Sequence, residues 1–293
     1  MERWLITGAS GQLGAWLINR LSQDIAPKRI LGLVRREVGE TFGHATRIAE
    51  LTDFDSLRAI TADFKPTHVI HTAAMTSAAD CYRNPDLATR INTDATAALA
   101  ESAAALNARF IFISTDMVFA GDRAPYHESD QTNPLSHYGR TKAAAEQRLA
   151  NLRHTAIVRL PLMYGFPAIP RTTTFQNQIE ALKQRKPLRL FADEFRTPIW
   201  LRDTAAGVIA VARDTFTGTI HLAGPERLSR FEMVERFAAH LHIDNPQLES
   251  VSRTTATDPE PRPADLSLDY KFFIQRFPHL QPNAISAAAF AQR

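Results

Sequence analysis

Tyr138 and Lys142 stand four residues apart in Tyr138-Gly-Arg-Thr-Lys142. On a helix that spacing projects a phenol and an ammonium from one side, one turn apart. A neighbouring cation favours the phenolate, so a hydroxyl of unperturbed pKa about 10 is expected to exchange protons nearer neutrality. Upstream, Ser114-Thr115-Asp116 follows the apolar run Phe110-Ile-Phe-Ile113. That run reads as a buried strand, which places Thr115 at a carboxyl end, where open α/β sheets build their sites. A hydroxyl, an acid–base phenol and a fixed cation together suit proton transfer to a carbonyl oxygen. Tyr-x-x-x-Lys also occurs by chance on exposed helices, so the weight of the pair rests on the elements around it.

Those elements begin at the first residues. Arg3-Trp-Leu-Ile-Thr7 is an apolar run, Gly8-Ala-Ser10-Gly11-Gln12-Leu13-Gly14 follows, and Leu13, Leu17, Ile18 and Leu21 repeat at helical spacing. Strand, glycine turn and helix form a nucleotide-binding unit, in which the backbone approaches a pyrophosphate held at the helix amino end. The spacing is G-x-x-G-x-x-G rather than G-x-G-x-x-G. A second strand, Arg29–Val34, ends at Arg35-Arg36. A carboxylate at that position binds the ribose of NAD, whereas an arginine accommodates the extra phosphate of NADP. NADP(H) is therefore preferred, with NAD(H) the alternative if these arginines are only surface charges.

Glu50 and Leu51 precede the amphipathic pattern Phe54, Leu57, Ile60, Phe64 and suit a loop beside an adenine ring. His68–His71 is a further strand, with Thr72-Ala73-Ala74 at its carboxyl end small enough for a cofactor to lie against backbone, and Thr76 just beyond on the substrate side. His71 is expected to be a core histidine. Pro85 opens an alanine-rich helix expected over Asp86–Asn107, with Leu87, Ile91 and Leu99 on its apolar side and Asn92 exposed. Ser136 is the expected cap of the helix that carries Tyr138. Thr155–Leu160 is another strand, which brings Leu160 to the cofactor, and Pro161 with Tyr164-Gly165 ends it at the site.

Strands alternating with helices imply an α/β fold with a doubly wound parallel sheet of Rossmann type. After Gly165 the rhythm breaks: prolines at 167, 170 and 187, a helix over Phe175–Leu182, an extended Phe195–Trp200, a helix over Asp203–Arg213, a strand over Gly218–Leu222, and a helix capped by Ser229. The expected division is a dinucleotide-binding domain over 1–165, to which 198–222 returns, and a smaller α/β substrate-binding cap mainly over 166–293.

The composition narrows the function classes. Of 293 residues 44% are hydrophobic, enough to bury a substantial core, and the net charge is +3, from 34 basic and 31 acidic residues. That balance points away from nucleic acid. The densest basic run, Lys183, Arg185, Lys186 and Arg189, reads as a solvated helix end. The single cysteine, Cys81, excludes an internal disulfide and a cysteine metal site, and is expected to pack as a small apolar residue. No apolar run reaches a membrane span, and the opening residues enter a strand directly, so a cytoplasmic location is the expectation.

Taken together, Gly8–Gly14, Ser114-Thr-Asp-Met-Val-Phe-Ala-Gly121, Pro125-Tyr-His-Glu128, Pro134–Lys142, Arg196-Thr-Pro198 and Arg262-Pro263 resemble the extended short-chain dehydrogenase/reductase family. Within it the likeness is to the dTDP-4-dehydrorhamnose reductases and their relatives, and it spans nearly the whole chain. The resemblance implies that Tyr138 protonates the oxyanion as hydride arrives from a nicotinamide. It also implies that Lys142 holds the nicotinamide ribose and depresses the Tyr138 pKa, and that Thr115 hydrogen-bonds the reacting oxygen. Thr76, Asp116, Met117 and Arg196 would meet the substrate, a nucleotide-linked sugar, and Arg171, Arg196 and Arg262 are either diphosphate contacts or structural cations. No metal is implied; homodimerisation is a family expectation.

Met117 departs from the reductase pattern, where tyrosine usually contacts the sugar; a thioether cannot donate that hydrogen bond. It also departs from the 4,6-dehydratases, whose glutamate exchanges a proton. Three functions stay open: reduction of the 4-keto group of a nucleotide-linked deoxysugar, an NADP-binding regulatory subunit like the β subunit of methionine adenosyltransferase, and a sugar-nucleotide epimerase.

Overall fold

A computed structural model describes residues 1–38 and 44–291, so the last two residues of the expected cap lie outside the described part. The first half runs β1 (Trp4–Thr7), α1 (Gln12–Leu21), β2 (Ile30–Val34), β3 (Ala45–Ile48), α2 (Phe54–Phe64), β4 (His68–His71), α3 (Ala78–Arg83), α4 (Pro85–Thr89), α5 (Ala95–Ala105), β5 (Arg109–Thr115), α6 (His137–Leu149) and β6 (Thr155–Leu160). The second half runs β7 (Met163–Tyr164), α7 (Thr174–Lys183), β8 (Leu188–Phe191), β9 (Phe195–Arg196), β10 (Ile199–Trp200), α8 (Leu201–Arg213), β11 (Gly218–His221), β12 (Leu228–Ser229), α9 (Arg230–His240), β13 (Leu248–Val251) and α10 (Lys271–Arg276).

Seven strands form one parallel sheet in the order β11-β6-β5-β4-β1-β2-β3. The central strands are apolar at almost every position because helices cover both faces. Trp4 and Ile6 point into a core with Leu17, Ile18, Val208 and Ile220, under α1 and α8. Leu5 points the other way, into a core with Leu57, Leu99, Phe110 and Phe112, under α2 and α5. The reversal of winding lies between β1 and β4, so the crevice at their carboxyl ends is where such sheets take ligands. The late strand β11 adds to the far edge beside β6, while β7, β8, β9, β10, β12 and β13 make three two-stranded pairs outside the sheet. A separate core, centred on Tyr164, Phe175, Ile179, Val234 and Phe237, holds α7 and α9 together.

Helix starts follow local chemistry. Ser136 accepts from Gly139 N at the head of α6. Ser229 and Glu232 form a reciprocal capping box at α9. Asp53 caps α2 and Thr173 caps α7. The basic run from Lys183 to Arg189 is at a helix end and largely exposed, and among the described residues no helix is long and apolar enough to cross a membrane.

One expected element is different. The helix expected over Asp86–Asn107 is interrupted by a π-turn at Arg90–Asp94, between α4 and α5. The wider turn shifts the helical phase, and two side chains change sides. Leu87, expected in the core, is 44% exposed, and Asn92, expected outside, is 1% exposed. The Asn92 amide accepts from Met75 N (2.8 Å) and donates to Met75 O (3.0 Å) and Thr141 Oγ1 (3.0 Å). It pins the loop after β4 against the helix carrying Tyr138. Asn92→Ala leaves these buried groups unpaired and should destabilise the fold by about 1–3 kcal/mol. Urea unfolding measures it, and a loss below about 0.5 kcal/mol would mean the bridge is energetically idle.

Candidate active site

The glycine turn is built for close backbone approach. Gly8 has φ +65°, and a Cβ there would lie 2.7 Å from Thr72 Oγ1 and 2.9 Å from Ala73 N. A Cβ on Gly14 would collide with the Gly8 carbonyl oxygen. The turn therefore packs directly on the loop after β4, and Gly11 N closes it by donating to Gly8 O (2.7 Å). Gly11 heads α1 with no side-chain cap hydrogen bond, so the amino end of the helix is not closed by a capping side chain. These features fit a pyrophosphate. Ser10 and Gln12 are half-buried beside it and Leu13 is buried.

Around that turn the expected cofactor residues fall at the carboxyl edge of the sheet. Arg35 and Arg36 end β2 and are exposed, as is Glu50; Leu51 is half-buried next to the α2 cap. Ala73 and Ala74 are half-buried beyond β4, and Leu160 is buried at the end of β6. Thr76 is exposed. His71 is a core histidine, bridging Thr7 Oγ1 (2.7 Å) and Thr96 Oγ1 (3.0 Å), and burial holds its pKa down at about 3. Cys81 is buried, donates to Met75 O (3.3 Å) and is held as a thiol, its pKa pushed by burial to about 11.

The catalytic candidates converge from two elements, β5 and α6. The strand β5 extends one residue before and two beyond the expected run, so Thr115 is its last residue, in extended conformation (φ −143°, ψ 155°) and 7% exposed. Its hydroxyl accepts from Met117 N (3.2 Å) and donates to Asp116 Oδ1 (3.1 Å). Tyr138 stands in the first turn of α6 and Lys142 one turn on. Lys142 is 3% exposed, donates from Nζ to Ile113 O (2.7 Å) and lies 3.9 Å from the centroid of the Phe112 ring.

The electrostatics run opposite to expectation. Tyr138 is not an activated phenolate: burial, then the Asp116 carboxyl, push its pKa up, and hydrogen bonding to Thr115 offsets this only in part. Lys142 is the shifted partner, held down at about 7 by burial despite the opposing charge of Glu146. The reason is desolvation: in a pocket this dry an ammonium loses more than it lends. A protonated phenol is nevertheless the form that gives a proton.

Two of the three arginines left open between diphosphate and structure are ion-paired. Arg196, expected to meet substrate, is 5% exposed and paired with Asp116 (3.3 Å) and Glu194 (3.3 Å). Asp116, also expected at the substrate, is 4% exposed, and burial raises its pKa against the pull of Arg196. Glu194 gathers Arg196, Arg230 (3.0 Å) and Arg262 (2.8 Å), which hold it at about 2 although burial works the other way. Met117 is half-buried beside this cluster, below Gly139 of α6.

Two acidic residues were not foreseen. Glu194 has one partner two residues away, Arg196, but the other two, Arg230 and Arg262, are remote in sequence. Glu146 follows Lys142 by four residues, a spacing that places both on one side of α6. It accepts from Ser114 Oγ (2.5 Å) and from Arg159 of β6 (2.7 Å). Among the described residues no acidic, histidine or cysteine group could hold a metal.

Comparison with known proteins agrees with this geometry. The family described as RmlD substrate binding domain matches residues 2–286. The β subunit of methionine adenosyltransferase 2 from Bos taurus is 29% identical over 275 residues, covering 92% of this chain and 80% of that one. A probable dTDP-4,6-dihydroxy-2-methyloxan-3-one 4-ketoreductase from Streptomyces antibioticus is 30% identical over 268 residues, covering 89% and 85%. The crystal structure of a hypothetical dTDP-4-dehydrorhamnose reductase from Sulfolobus tokodaii superposes with TM-score 0.82 at 28% identity, over 93% of this chain and 94% of that one. Because the family match runs over nearly the whole chain, the protein belongs to the RmlD substrate-binding domain family.

Proposed function

We propose that the protein is an NADPH-dependent reductase of the 4-keto group of a nucleotide-linked deoxysugar. The observation that carries this is the placement of Tyr138 in the first turn of α6, one turn before the buried Lys142, with Thr115 as the last residue of β5. The bound dinucleotide supplies a hydride to the carbonyl carbon. Tyr138 gives its proton to the carbonyl oxygen, so the new C–H and O–H bonds leave a neutral alcohol and a phenolate. Lys142, when charged, would stabilise that phenolate and would hold the ribose of a bound dinucleotide. Thr115 rotates its hydroxyl from Asp116 to the reacting oxygen as charge develops there. Asp116, held by Arg196, fixes Thr115 in the meantime. The intact hydroxyl, phenol and ammonium support catalysis over a purely regulatory subunit, and Arg35-Arg36 support NADP over NAD. The cap core behind Tyr164 supports assignment of the late helices to the substrate side.

The test is NADPH oxidation followed with dTDP-4-dehydrorhamnose and related 4-keto sugar nucleotides. Turnover is expected; a folded protein that binds NADPH and reduces none of them is not this reductase. The pH profile adds a check on mechanism. Lys142 is charged below about 7 in the protein without cofactor and neutral above it. Its help to the phenolate is thus present at low pH and lost as pH rises through about 7. kcat/KM should fall across that range in the wild type and stay flat in Lys142→Met. A wild-type profile level from pH 5 to pH 9, roughly two units either side of that pKa, would remove Lys142 from the proton step.

A further inference from the structure

The segment from Phe166 to Arg171, which leads out of β7 towards α7, is tied at one end to α1 and at the other to the glycine turn before it. Trp16 Nε1 donates to Phe166 O (2.8 Å), and Arg171 Nη1 donates to Ser10 O (2.8 Å). Between the two, residues Phe166–Pro170 wall one side of a cavity of about 1160 Å³ against Trp16, Asn19 and α8. Ser10 lies inside the glycine turn, and Nη1 is 3.9 Å from the place of a Cβ on Gly11. The guanidinium therefore rests at the amino end of α1, where the helix start is positive and has no side-chain cap.

Two positive features facing each other are unfavourable unless an anion joins them. Arg171 enters no ion pair among the described residues, is exposed, and spends one hydrogen bond on a neutral carbonyl. Its remaining donors form a planar fork matched to phosphate oxygens. We propose that Arg171 is a further cofactor-binding residue, whose guanidinium leaves Ser10 O for the pyrophosphate of the dinucleotide. This rests on the nucleotide reading above. It also gives that site a link to the cap: Arg171 lies three residues before α7, whose Phe175 and Ile179 are in the cap core. Cofactor binding would then draw the Phe166–Arg171 strap down onto α1.

Titration of the full chain with NADPH and with NADH, by quenching of intrinsic tryptophan fluorescence, separates the possibilities. Arg171→Gln should weaken both nucleotides by roughly 10- to 100-fold, the worth of a charge-assisted hydrogen bond. Arg171→Lys, which keeps the charge without the fork, should recover part of the loss. Arg35→Ala, at the expected 2′-phosphate position, should weaken NADPH alone. Wild-type affinity for both nucleotides in Arg171→Gln overturns the proposal, and a loss confined to NADPH overturns the assignment to pyrophosphate. If the wild type binds neither nucleotide, the cofactor reading fails and this inference with it. An unchanged urea midpoint in Arg171→Gln is expected from its exposure and excludes misfolding as the cause.

Discussion

Tyr138→Phe is expected to lower kcat for ketone reduction by about a hundred- to ten-thousandfold, the usual worth of a positioned general acid, while leaving NADPH affinity near that of the wild type. The phenol is the group at this edge that holds a proton firmly and can release it to a neighbouring oxygen. Lys142 is turned to Ile113 O, Thr115 already shares its proton with Asp116, and His71 lies below the strand ends between two threonines. Removing the hydroxyl leaves the ring and its packing in place. Steady-state rates with single-turnover hydride transfer provide the measurement. A loss under about tenfold would move the proton source to water or to Asp116.

The second large effect is structural. Arg159→Met should destabilise the protein by about 3–5 kcal/mol, because it leaves the Glu146 carboxylate buried without its guanidinium partner. Arg159 and Glu146 have side chains 5% and 7% exposed and meet through Arg159 Nε (3.1 and 3.2 Å) and Nη2 (2.7 Å). The pair ties α6 to β6, and Ser114 ties the same carboxylate to β5, so it holds the helix of Tyr138 and Lys142 against the strand of Thr115. Glu146→Gln with Arg159→Met should cost clearly less than Arg159→Met alone, since no charge is stranded. Urea unfolding of the three variants gives the comparison, and a single-variant cost below about 1 kcal/mol would class the pair as a weak surface-like bridge. Because Glu146 also opposes the downward shift of Lys142, Glu146→Gln should move the alkaline fall of kcat/KM to lower pH.

Much of this protein is written in short stretches. The apolar run and glycines of Trp4–Gly14, the caps at Ser136 and Ser229 and the helical spacing of Tyr138 and Lys142 each depend on neighbours within a few residues. For that reason the sheet class, the nucleotide turn and the position of Thr115 at a strand end were legible without coordinates. Asn92 was not: an ordinary helix puts it outside, and only the π-turn between α4 and α5 carries it in to Met75 and Thr141. Arg196 stayed open between a substrate contact and a structural cation because Asp116 is brought to it by packing from 80 residues away, and Arg262 reaches Glu194 from 68 residues away. The direction of the pKa shifts at Tyr138 and Lys142 was set in the same manner. Spacing places a cation one turn from a phenol, but burial decides which of the two yields its charge, and burial belongs to the assembled sheet and helices.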